Sequence, residues 1–117
     1  MKTHVSYRGI SEREPIVHEL RRQAAKLDRR LKKFNPDLVD LHISLERRVG
    51  RVILFIASVT LYLPSAQLNA REEAALPVIA LKHACAELLR ELMKFQARLR
   101  GEDKLRRVTR RRRLVLR

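Results

Sequence analysis

The sequence predicts an α+β fold, β-α-β-β-β-α, in which a four-stranded sheet carries two helices packed on one face. Apolar residues recur at helical spacing near both ends of the chain and alternate with polar ones through its middle, and prolines at 36, 64 and 77 mark the changes of period. A sheet that is wet on one side needs cover on the other, which puts both helices on the same face. The 117 residues, 45% of them apolar, suffice for one domain around a single core.

Each element has its own signal. Thr3-His4-Val5-Ser6-Tyr7 alternates weakly and stops at Gly9, as a short strand does. Ser11 and Glu14 have capping-box spacing, while Pro15 favours a start led by Glu14 with the proline at the first helical position. The helix follows the apolar row Val17, Leu20, Ala24, Leu27, Leu31 and Phe34 until Asn35-Pro36 stops it. Val39, Leu41, Ile43 and Leu45 then alternate with Asp40, His42, Ser44 and Glu46, a strand with one wet face. A turn over residues 47–51, containing Gly50, leads into a longer strand at 52–63 that points Val59, Leu61 and Leu63 inward. Pro64-Ser65-Ala66 breaks it, and a fourth strand at 67–72 turns Leu68 and Ala70 inward. Val78, Leu81, Cys85, Leu88, Leu92, Phe95 and Leu99 set a last helix that begins at Pro77 and ends at Gly101.

Charge is the second theme. Lys and Arg number 27 against 13 Asp and Glu, a formal +14, and self-repulsion of that size points to a polyanionic partner, nucleic acid first. Arg22, Lys26, Arg29 and Lys33 fall at steps of four, three and four, so they share the helix face opposite the apolar row, with Arg30 beside them. Only Glu19 and Asp28 stand at its margins. On the last helix Arg90, Lys94 and Arg98 form a second row, but Glu87 and Glu91 precede the first two by three residues and can pair with them. The first helix is therefore the expected principal contact, with solubilising surface charge as the alternative use of both rows. Arg47, Arg48 and Arg51 crowd one turn of the sheet. Residues 1–101 make the folded body, and 102–117 form a basic tail containing Arg110, Arg111, Arg112 and Arg113. A mobile arm is expected there, since like charges repel and apolar neighbours are few; docking through Leu105, Val108, Leu114, Val115 and Leu116 is the alternative.

Other chemistries find little footing. His4, His18, His42 and His83 have no ligand spacing, Cys85 lies on the core stripe without a second thiol, and neighbours Glu72 and Glu73 point to opposite faces of a strand. No glycine-rich phosphate loop occurs. The expectation is a protein that is not an enzyme and uses no metal, cofactor or small-molecule substrate. No run of residues matches a membrane span or a signal peptide, so a cytoplasmic protein without a membrane partner is expected.

The stretch ASVTLYLPSAQLNARE, residues 57–72, has a strand ending in Leu-x-Leu-Pro, a tight turn, and a strand of the pattern Leu-x-Ala-x-Glu. It resembles the third and fourth strands of the ribosome hibernation promoting factor family, also called ribosome-associated inhibitors. Lys26-Leu27 and Phe34 are similar to positions of that family's first helix, and Arg90, Lys94 and Arg98 match basic positions of its second. The likeness runs from about residue 2 to 99, with Ser65-Ala66 in place of a frequent Gly-Gly and Glu87 in place of a lysine. The resemblance implies the same β-α-β-β-β-α fold, in a short form with a basic tail. It also implies binding to the small ribosomal subunit and its rRNA, in the channel used by messenger and transfer RNA, so that idle ribosomes are silenced and preserved. A general structured-RNA-binding module would need the same charge without ribosome specificity, and a protein-interaction module could use the open sheet instead.

Overall fold

The computed structural model of the protein describes the backbone of residues 1–115 and the side chains of residues 1–101. Its elements are β1 (Lys2–Arg8), α1 (Glu14–Arg30), a 3-10 turn (Pro36–Leu38), β2 (Asp40–Val49), β3 (Ile53–Leu63), β4 (Ala66–Ala74) and α2 (Pro77–Val115). This is the α+β order expected from the sequence. The strands lie side by side as β1-β2-β3-β4. β1 runs parallel to β2, as a strand must when a helix carries the chain back, and the two hairpins that follow are antiparallel.

Alternation decides which face is buried. Leu41, Ile43 and Leu45 of β2 meet Leu61, Val59 and Ala57 of β3 across the ladder, and all six are buried. Leu20 and Leu27 of α1 and Leu81, Leu88 and Leu92 of α2 complete one core on that face. The opposite face is wet, with one exception: Ile56 is only 2% exposed there, flanked in register by Glu46 and Glu73. Long charged side chains have apolar stems, which lets them shelter such a residue from water.

The boundaries depart from the sequence reading in ways that have local causes. At its start α1 is capped by the extended residue Arg13, so Glu14 and Pro15 take the first two helical positions and Ser11 stays outside, without a capping box. At its end α1 stops at Arg30, before Phe34. The Leu31 N–H donates to Asp28 O at 3.1 Å and the Phe34 N–H to Leu31 O at 3.0 Å, both one residue tighter than helical pairing. Pro36 has no N–H to extend the ladder and bars helical geometry at Asn35, so the chain tightens and turns. β2 continues through Arg47 and Arg48 to Val49, which leaves a turn of only Gly50-Arg51-Val52. β4 spans Ala66–Ala74, longer at both ends than expected, after a two-residue turn at Pro64-Ser65.

The largest difference is at the C-terminal end. α2 does not stop at Gly101 but continues to Val115. Among the described residues the left-handed glycine is Gly9, at φ 69°, where the chain leaves β1; Gly101 is not one. A glycine inside a helix costs about 1 kcal/mol relative to alanine, which weakens a helix without ending it. The expected mobile arm at 102–117 lies outside the residues whose side chains are described.

Candidate nucleic-acid interface

The α1 sequence buries a different face from its apolar row alone. Ile16, Leu20, Leu27 and Leu31 are buried together with the polar pair Glu19 and Gln23, while Val17 and Ala24 are only half-buried. Gln23 Nε2 donates to Glu19 Oε1 at 3.0 Å, and Arg22 Nη1 lies 3.9 Å from Glu19 Oε2, so the buried carboxylate has both a hydrogen bond and a counter-charge. The neighbour that covers this side is α2. Gln96 Nε2 of α2 donates to Arg30 O of α1 at 3.0 Å, and Cys85 of α2 lies within the fields of Glu19 and Lys26. Early residues of one helix meet early residues of the other, so the two helices run in the same direction.

That pairing orients the charged rows. Arg22, Lys26, Arg29, Arg30 and Lys33 are all exposed, on the side of α1 that leans toward α2. Among the described residues no carboxylate lies within ion-pair distance of Lys26, Arg29, Arg30 or Lys33. Arg90, Lys94 and Arg98 are exposed too, but at ~100° per residue they lie roughly 120–160° around α2 from Gln96, away from α1. Arg90 Nη1 is 3.1 Å from Glu87 Oε2, and Lys94 Nζ is 3.5 Å from Glu91 Oε1. The two rows therefore do not merge into one surface; in the first, Arg22 is paired with the buried Glu19 and the other four cations have no ion-pair partner among the described residues, whereas in the second both Arg90 and Lys94 are paired. Arg110, Arg111, Arg112 and Arg113 lie outside the described side chains.

Where α1 ends and α2 passes beside it, the structure gathers cations that the sequence did not connect. Lys32 and Arg100 join Arg29, Arg30 and Lys33 around one open cleft, whose remaining lining is Phe34, Gln96 and Leu99. Arg100 sits four residues after Gln96, one turn along the α1-facing side of α2. That spacing was visible in the sequence, but nothing there said which side of α2 meets α1.

The outer sheet face is chemically different. Register places His4 beside His42, and the two rings stack with centroids 4.5 Å apart. Tyr62 meets His42 edge-on at 5.0 Å, and His4 Nε2 lies 3.7 Å from Asp40 Oδ1. Tyr62 thus packs across strands. Among the described residues no group of three or more His, Cys, Asp or Glu side chains is arranged to hold a metal ion, and none of their helices is long and apolar enough to cross a membrane.

Cys85 is a core group. It is 2% exposed, and burial, reinforced by Glu19 and partly offset by Lys26, pushes its thiol up from 9.0 to about 12. A rise of that size leaves roughly a thousandfold fewer thiolates than at a free cysteine, so alkylation is expected to be very slow until the protein unfolds. The sign for stability follows: an acid raised on folding favours the folded state below pH 9, and that contribution is lost as pH climbs toward 12. The melting temperature should fall more steeply over that range in the native protein than in Cys85→Ala, and equal slopes would count against the burial argument.

No protein-family model matches the chain, and no curated protein matches its sequence. Solved structures do match. A ribosomal subunit interface protein from Coxiella burnetii superposes with a TM-score of 0.62 at 17% identity, covering 83% of this chain and 99% of its own. The N-terminal domain of Thermus thermophilus Protein Y gives 0.65 at 20% identity, covering 81% and 99%. The chain shares their fold. Coverage of both neighbours is nearly complete.

Proposed function

We propose that this protein binds ribosomes without catalysing a reaction. In this reading it occupies the messenger and transfer RNA channel of the small subunit in the cytoplasm and keeps idle ribosomes silent. The observation that carries the reading is the exposed basic side of α1, where Lys26, Arg29, Arg30 and Lys33 have no ion-pair partner among the described residues, on a fold shared with a ribosomal subunit interface protein. Each Lys or Arg that meets a phosphate releases condensed counterions, and guanidinium groups can grip phosphate at two points. Folded rRNA presents shape and phosphate more than base edges, which suits a rail of charge. The nearly complete coverage of the Coxiella protein and the hibernation-family motifs at residues 57–72 point the same way.

Co-sedimentation tests the reading. The protein is expected to pellet with purified small subunits at near-physiological salt, to spare large subunits, and to stay bound in excess unrelated structured RNA. Loss to the competitor would leave a general structured-RNA binder, and binding insensitive to salt would favour a protein-interaction module.

A further inference from the structure

The cleft at the junction of α1 and α2 has a composition that a charge rail does not require. Its volume is about 490 Å³, within the range of roughly 300–1,000 Å³ typical of small-ligand sites. Among the described residues five cations, Arg29, Arg30, Lys32, Lys33 and Arg100, surround it, and no acid lines it. Between them lie the half-buried ring of Phe34 and the exposed Leu99. Part of this charge complements the carbonyl end of α1, which favours cations over its last turn. That role explains Arg29 and Arg30 but neither Arg100, which comes from the other helix, nor an aromatic ring left half-covered.

A bare phosphate has no use for an apolar floor, and an aliphatic ligand has none for five cations. A nucleotide needs both: a flat base to cover apolar surface and phosphates on either side to meet Lys and Arg. We propose that this cleft seats one unstacked nucleotide of a single-stranded RNA segment, its base against Phe34 and Leu99 and its flanking phosphates on Arg29, Lys33 and Arg100. Gln96, whose amide nitrogen is fixed on Arg30 O, offers its side-chain oxygen as an acceptor for a base amino group. A strand that follows the α1 rail from Arg22 to Arg30, about 12 Å at 1.5 Å per residue, arrives at this cleft. The inference rests on the RNA-binding reading above and adds to it a contact that depends on the base as well as on charge.

The test compares the full-length chain's binding to a short oligoadenylate and to a base-free ribose-phosphate of equal length and charge, by fluorescence anisotropy at one salt concentration. Oligoadenylate is expected to bind roughly tenfold tighter, the scale of one stacked base. Phe34→Leu keeps apolar volume in the half-buried site, and Leu99→Thr alters an exposed residue. Each should erase most of the preference while leaving the affinity for the base-free probe unchanged. Equal affinity of the native chain for the two probes, or a preference untouched in both variants, overturns the proposal. So does equal competition by an acidic, phenylalanine-containing peptide. Failure of the underlying reading has its own signature, since then neither probe binds at all and both ideas fall together.

Discussion

Reversing Lys26, Arg29 and Lys33 to glutamate is expected to lower the proposed affinity for small ribosomal subunits on the order of a hundredfold or more, while the same change at Arg90, Lys94 and Arg98 should cost far less. Three phosphate interactions at ~1 kcal/mol each amount to about two decades in affinity. The slope of log affinity against log salt should flatten by roughly two to three for the α1 variant, at 0.7–0.9 per phosphate. For the α2 row the expectation differs because its charge already has a use: Arg90 and Lys94 are engaged by Glu87 and Glu91, and the row points away from α1. All six residues are exposed, so circular dichroism and melting temperature should barely move. Equal losses from the two triple variants would show that the pairing within α2 does not matter.

Leu88→Ala should destabilise the protein by about 2–5 kcal/mol, the cost of deleting a fully buried leucine and leaving a cavity. Leu88 is 0% exposed and belongs to the cluster that joins α2 to the sheet and to α1. Met93, five residues further along the same helix, is 44% exposed, and Met93→Ala should change stability by about 0.5 kcal/mol or less. Urea unfolding separates the cases: the midpoint moves for the first variant with the slope kept, and stays in place for the second. A similar shift for both would mean that α2 is not anchored along this stripe.

The sheet was legible because each central strand puts one face in the core. Val39 to Leu45 and Val59 to Leu63 could alternate in only one way, and register carried the reading from strand to strand. α1 was harder because an apolar count gives no weight to Glu19 and Gln23, which are buried by satisfying each other beneath α2. Counting Val17 and Ala24 in their place turned the helix away from its partner. Gly101 misled for a different reason: a glycine ends a helix when it adopts the left-handed conformation, and identity alone does not say whether it will. The cations were all visible, but the cleft was not, because Arg100 joins Lys32 and Lys33 only once α1 and α2 are known to run side by side. The stacked His4 and His42 escaped notice for the same cause, a contact made by chain topology and not by spacing.

The parallel placement of β1 at the edge of the sheet also orders events in time. β2, β3 and β4 zip together through hairpins whose first pairs, Val49 with Ile53 and Leu63 with Ala66, close very short loops. β1 must instead find β2 across a separation of thirty-eight positions, from Lys2 to Asp40, with α1 in between. Closing that longer loop costs more entropy before any contact repays it, so the meander is the natural nucleus and β1 the last strand to dock. The strand that docks last is also the one with least to hold it, exposed at nearly every position. Its amide protons should be the first of the sheet to exchange with solvent.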